Sequence, residues 1–247
     1  MILTTDNIHA EFVNLSHRTD RLKHMHDELG RIGLTAHKHD GIRTKGFEWN
    51  RNPYKTMFRR TPGAIGCMLS QIEVMEAAHK LGKHAMVLED DLLFCDDFFD
   101  RLKIIGQWLE GRSWDTFWLG GTVHYPHPYW HSKGHPNMKG DCHCKLGVDA
   151  EPTEHKHIYR SYGSFSTHAY IVNHSSIENV IAKLHEGIST TIGIDYSFIR
   201  LAPKMNNYVF LPGMVIQKNN ASDIGNGWTM FSGFSSLGSH WFQKETL

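Results

Sequence analysis

Glu89, Asp90 and Asp91 stand side by side directly after the short apolar run His84-Ala-Met-Val-Leu88. A run this short and rich in aliphatic side chains reads as a buried strand, and strands of α/β sheets present ligand-binding residues at their carboxyl ends. Adjacent carboxylates repel one another unless positive charge sits among them. Hard oxygen ligands select Mg²⁺ or Mn²⁺, ions that commonly bridge one or two carboxylates to a substrate phosphate. The chemistry implied is the handling of a phosphorylated or nucleotide-linked donor. The plainer alternative is a solvated acidic loop that caps the next helix. Asp96 and Asp97 already supply the N-cap and first-turn charges of that helix, which carries Phe98, Leu102, Ile105 and Leu109, so the triplet is surplus to capping.

The elements that must hold these carboxylates follow from apolar spacing. Residues 11–15 read as a first strand, and residues 18–33 as a helix with Leu22, Met25, Leu29 and Ile32 on one face. A short second strand over 36–41 ends at Asp40-Gly41, and a loop running to about Pro62 is a candidate lid. From Gly63 a helix places Ile65, Met68, Leu69, Ile72, Met75 and Leu81 on a buried face. The triplet-bearing strand, the next helix to about Glu110 and a strand over 115–119 continue the alternation. Residues 120–156, broken by Pro126, Pro128, Gly134, Pro136 and Gly140, read as an insertion that could hold an acceptor. A strand over 166–172 follows, then a helix with Ser175 and Glu178 at capping-box spacing, a short helix opened by Asp195, and a strand pair around 209–211 and 214–217. Strand and helix alternating in this way predict an α/β fold with an open, mostly parallel central sheet flanked by helices. The expected organisation is a single domain over 1–247, with a His-rich insertion at about 120–157 and a closing tail at about 219–247.

Composition narrows the partners. Lys plus Arg (26) equals Asp plus Glu (26), so no global positive field draws the chain to nucleic acid or anionic membrane. Residues 1–10 lack a signal-peptide pattern and no apolar run is long enough to span a bilayer, which points to a cytoplasmic protein with Cys67, Cys95, Cys142 and Cys144 reduced. The chain carries 19 histidines, several of them between His124 and His157, and with Cys142 and Cys144 they raise a structural Zn²⁺ site. One residue between the two cysteines departs from the spacing of structural zinc sites, so a His-rich surface loop is the simpler reading.

Five segments in order then resemble glycosyltransferase family 25, which includes lipooligosaccharide and procollagen galactosyltransferases. They are Phe12-Val-Asn-Leu-Ser-His-Arg-Thr-Asp-Arg21, Gly63-Ala-Ile-Gly-Cys-Met-Leu-Ser70, Val87-Leu-Glu-Asp-Asp91, Ser166-Thr-His-Ala-Tyr-Ile-Val172, and Pro212 to Gln217 with Ser222-Asp-Ile224. The resemblance implies a GT-A type nucleotide-diphospho-sugar transferase fold and a UDP-sugar donor held through Mn²⁺ or Mg²⁺. It assigns the metal to Asp91 and Glu89, with His240 as a second-side ligand. Donor contacts fall to Asn14, Leu15, Arg18, Arg21, Asp40, Gly41, Ser70, Glu89, Asp90, Gln217, Ser222 and Asp223. Gln71 stands where the family carries a histidine. Asp195 is the implied general base of an inverting displacement, against the alternative that it only opens a short helix. The expected activity is transfer of a galactose or glucose unit to a hydroxyl acceptor, such as a lipid-linked saccharide, in a bacterial or viral source. Two other classes compete: a zinc-stabilised binding module centred on 124–157, and a metal phosphohydrolase. A nucleic-acid acceptor bearing hydroxymethylated bases is a further alternative, for which the basic-aromatic stretch Phe47–Lys55 with Phe58-Arg-Arg60 would meet the phosphate backbone.

Overall fold

The computed structural model describes residues 3–43, 62–122, 150–161, 165–189 and 193–218. The candidate lid over 44–61, most of the His-rich segment with Cys142 and Cys144, and the tail with Ser222, Asp223 and His240 lie outside the described residues. In chain order the elements are β1 (Ile8–Asn14), α1 (Thr19–Ile32), β2 (His37–Asp40), α2 (Pro62–Lys80), β3 (His84–Leu88), β4 (Leu92–Phe94), α3 (Phe98–Leu109) and β5 (Thr116–Thr122). They continue with β6 (Ala150–Pro152), β7 (Ile158–Ser161), β8 (Phe165–Val172), α4 (Ile177–Ser189), α5 (Ile194–Leu201), β9 (Asn207–Phe210) and β10 (Val215–Gln217).

The large sheet has the order β2-β1-β3-β8-β5-β9-β7-β6, and β10 with β4 forms a separate two-stranded ribbon. Pairing is parallel for β1 with β2, β1 with β3 and β5 with β9. Strand β8 enters antiparallel between β3 and β5, and β7 is antiparallel to β9. The sheet is therefore mixed rather than uniformly parallel, although β1, β2, β3, β5 and β9 all run one way. Their carboxyl ends and the beginning of β8 share one edge, and this is the edge that carries the acidic triplet.

Successive residues of the central strands face opposite layers. Met86, Leu88, Phe117, Leu119 and Ile171 join one core with Phe12, Met25, Leu29, Phe98, Leu102 and Ile105, which brings α1 and α3 onto that face. Ala85, Val87, Trp118, Tyr170 and Val172 join the other with Met68, Ile72, Met75, Leu184 and Phe198, which brings α2, α4 and α5 onto the opposite face. Every residue of β3 is buried, as a strand covered on both sides requires. A fully buried side chain of this class contributes about 2 kcal/mol.

Several local expectations change in the folded chain. Leu81 lies beyond the end of α2 and is 58% exposed, so it is not part of the buried face. Asp97 occupies the N-cap position of α3 without a side-chain cap bond and pairs instead with Arg101 at 2.9 Å. The helical segment after β8 starts with a 3₁₀ turn over His174–Ser176, and Asn173 rather than a Ser175–Glu178 box caps it by accepting from Ser175 N. Gly193 is the N-cap of α5, which places Asp195 inside the first turn. Strands β9 and β10 do not pair with each other: β9 joins β5 and β7 in the large sheet, and β10 joins β4. The closing part of the expected insertion forms β6, at the sheet edge.

At the opposite edge, His84 opens β3 with its ring 5.1 Å from Trp114 and its Nδ1 accepting from His174 N at 3.0 Å. Burial, with His174 alongside, holds its imidazole down to about 4 from the ordinary 6.5. The unfolded chain takes up this proton as pH falls below 6.5 while the folded chain resists it down to about 4, so stability drains away as pH falls through that window. Urea titrations between those limits will show a steeper acid loss in the wild type than in His84→Gln; equal slopes would remove His84 as the source.

Candidate active site

The chain leaves β3 and re-enters as β4 with only Glu89, Asp90 and Asp91 between the two strands. Glu89 N donates to His168 O at 2.8 Å, which fastens the start of this connection to β8. The middle residue turns toward α1: Asp90 accepts from Asn14 Nδ2 at 2.8 Å and from Arg21 at 2.6 Å. Arg21 also lies 3.2 Å from Asp91. The outer two residues share a different partner, because Gln217 Nε2 donates to Glu89 Oε2 at 2.8 Å and to Asp91 Oδ1 at 3.4 Å. Asp90 thus takes both Asn14 and Arg21, Asp91 shares Arg21, and Glu89 and Asp91 together face the Gln217 amide.

This pair is short of positive charge. Burial, followed by the charges of Asp91, Asp195 and Asp90, pushes the Glu89 carboxyl well above its usual range. Burial also raises Asp91, opposed mainly by the Arg21 guanidinium. Two hard-oxygen donors with disfavoured ionisation match a divalent cation, whose charge would reverse both shifts. Among the described residues no three His, Cys, Asp or Glu side chains converge on one point. A cation therefore fits here as a shared counter-charge completed by substrate phosphate and water, the usual manner for Mg²⁺, rather than in an all-protein cage.

Gln217 reaches the pair because β10 is drawn into the sheet edge. Met214 N donates to Leu119 O at 2.8 Å, Cys95 N to Met214 O at 2.9 Å, and Lys218 N to Asp91 O at 2.6 Å. This close approach requires Gly120: a Cβ there would stand 2.1 Å from Val215 O and 2.4 Å from His168 Nε2. Sequence reasoning missed both His168 and Gly120. The pair Gly120-Gly121 directly after a buried strand was the available signal, since glycine within a strand marks close backbone approach.

The remaining expected residues sort into those at the edge and those occupied beneath it. Asp40 ends β2 beside Asn14, is exposed and pairs with Lys38. Gly41 N donates to Asn14 O at 2.9 Å, and a Cβ on Gly41 would lie 3.0 Å from the Leu15 side chain. Ser70 is buried, donating to Gly66 O at 2.7 Å and accepting from Ile42 N at 2.8 Å, so it holds the chain after Gly41. Arg18 grips Asp20 with Nε at 3.0 Å and a terminal nitrogen at 2.8 Å. Arg21, expected near phosphate, is buried against Asp90 and Asp91. Gln71, at the family's histidine position, is also internal: its Oε1 accepts from Tyr170 OH at 2.7 Å. Asn14 Oδ1 is a buried acceptor without a protein partner among the described residues.

Asp195 is half-buried in the first turn of α5, and its charge raises Glu89, Cys67 and Tyr170. Phe198, one turn on, seats α5 with its ring 5.1 Å from Trp118 and 5.2 Å from Tyr170. The fold thus joins Glu89 and Asp91, after β3, to Gln217 of β10 by hydrogen bonds, and Glu89 to Asp195 of α5 by charge.

Residues 8–197 match the family model for glycosyltransferase family 25, described as LPS biosynthesis protein. The matched span holds Asn14, the acidic triplet and Asp195, and ends before β9 and β10. No curated protein matches the chain.

Replacing Arg21 by Met leaves Asp90 buried without its cation, and urea denaturation is expected to show a loss of about 3 kcal/mol. Gly120→Ala is expected to separate β10 from β5. Its signature is a lowered melting temperature together with loss of whatever ligand response depends on Gln217; retention of both would refute the close approach.

Proposed function

The chain belongs to glycosyltransferase family 25 and is an enzyme of the glycosyl-transfer class, and on that premise we propose a metal-dependent, inverting hexosyltransferase using a UDP-sugar, galactose or glucose being the sugar moved. The observation that carries this reading is the Glu89–Asp91 pair, held by one amide at the carboxyl end of β3 with both ionisations disfavoured. Mn²⁺ or Mg²⁺ bound there supplies Lewis-acid neutralisation of the charge that builds on the departing nucleoside diphosphate. The strand edge formed by Asn14, Leu15, Asp40 and Gly41 takes the nucleoside end of the donor. Asn14 and Arg21 engage Asp90, and Glu89 and Asp91, joined through the Gln217 amide, are the oxygens offered to the cation.

The transfer itself falls to Asp195. Its carboxylate accepts the proton of the acceptor hydroxyl while that oxygen bonds to the anomeric carbon. The bond from the same carbon to the diphosphate oxygen breaks, and UDP leaves with the electron pair. The family description directs the acceptor towards a lipopolysaccharide-type saccharide hydroxyl. No helix among the described residues is long and apolar enough to cross a membrane.

Calorimetric titration of UDP with and without MnCl₂, followed by a donor-hydrolysis screen over UDP-sugars, tests the reading. UDP affinity is expected to depend on Mn²⁺ and to lose that dependence in Asp91→Asn; no UDP binding under either condition refutes it. Asp195→Asn is expected to lower kcat by about 10²-fold or more while UDP affinity and melting temperature stay near wild type, the scale typical of a lost general base. Near-normal turnover would reduce Asp195 to a first-turn helix residue.

A further inference from the structure

We propose that Gln217 is the third protein ligand of the cation and that it reaches this state by turning its amide end for end. The inference rests on the metal reading above and extends it to a residue that lies after the 8–197 match and that the sequence motifs marked only as a donor contact. A glutamine amide offers two N–H donors at one end and a carbonyl acceptor at the other, in nearly the same shape. With Nε2 directed at Glu89 and Asp91, the donor end lies between two carboxylates of which, among the described residues, only Asp91 has a cationic neighbour, Arg21 at 3.2 Å. The other end is a neutral hard oxygen of the kind that suits Mg²⁺ and Mn²⁺.

The backbone leaves this rotation as the motion that remains. Strand β10 pairs residue by residue with β4, Gln217 standing opposite Leu92, and Lys218 N is bonded to Asp91 O at 2.6 Å. Met214 is bonded on both sides, to Leu119 and to Cys95. The Cα of Gln217 is therefore held from before and after, while its amide makes contact only with the two carboxylates among the contacts described. A half-turn about the last side-chain bond replaces Nε2 by Oε1 without disturbing the ribbon. Before a cation binds, the N–H groups screen the like charges; once it is bound, the carbonyl joins their oxygens. Asp90 does not fill this role, because Asn14 and Arg21 occupy it. No other Asp, Glu, His or Cys among the described residues completes a three-ligand group with Glu89 and Asp91.

The test is calorimetric titration of MnCl₂ into the full chain, with and without saturating UDP, for wild type, Gln217→Leu, Gln217→Asn and Gln217→Glu, alongside the cation-free melting temperature of each. The leucine variant, and the asparagine variant whose amide is one methylene too short, are expected to weaken Mn²⁺ binding about tenfold or more. The glutamate variant is expected to bind at least as tightly as wild type and to melt lower without cation, since it adds a third like charge. A leucine or asparagine variant that binds Mn²⁺ as well as wild type, with only its cation-free melting temperature lowered, would make Gln217 a structural tie and overturn the proposal. Tighter binding by the leucine variant would overturn it as well, making the amide a competitor of the cation. Failure of the wild type to take up Mn²⁺ in either sample is a separate result that removes the metal reading itself.

Discussion

Three consecutive carboxylates brought out of bulk water at the end of one strand are the constraint on which this molecule turns. Charge of one sign in a semi-buried corner is stable only with compensation. Each compensating group comes from a different part of the chain: Asn14 from the end of β1, Arg21 from α1 and Gln217 from β10. Arg21 is costly to bury, and its placement at 2.6 Å from Asp90 makes the two desolvated groups mutually necessary. The compensation is incomplete, since Glu89 and Asp91 still resist ionisation. That residual deficit is what suits the corner to a cation.

The sheet makes such a corner affordable by being well covered elsewhere. Alternate residues of β3, β5 and β8 feed two separate cores, so the strands are clamped from both faces. Rigid packing lets the connecting segments at the carboxyl edge carry polar work without loosening the fold. The same two-sided cover explains how α5 acquires a precise position. Phe198 packs against both Trp118 and Tyr170, so an aromatic contact deep in the second core helps to set where the half-buried Asp195 stands.

Strand direction has a chemical consequence as well. Strand β8 runs against β3 and β5, which brings its first residues, not its last, to the edge where the others end. His168 thereby lies beside both Glu89 and Val215, fastening the acidic segment and the β10 ribbon to a common strand. In a uniformly parallel sheet the corresponding residues would lie at the far edge. The buried, partner-rich position of Gln71 is consistent with this arrangement: it supports β8 through Tyr170 instead of addressing a ligand.

What the sequence determined by itself is whatever rests on local periodicity and residue chemistry. The strand His84–Leu88, the helices around Leu22–Ile32, Ile65–Met75 and Phe98–Leu109, and the acidic cluster after the strand were legible because apolar spacing and like-charge repulsion act within a few residues. The family was legible in ordered motifs, four of which lie within the matched residues 8–197. Which carboxylate Asn14 engages, what Arg21 and Ser70 bond to, and that β10 joins β4 rather than β9 were decided only by tertiary structure. Those outcomes depend on partners 28, 69, 76 and 126 or more positions away. A side chain's role at such range is set by which strand edge lies next to it, and pairing order across a sheet leaves no trace in local spacing.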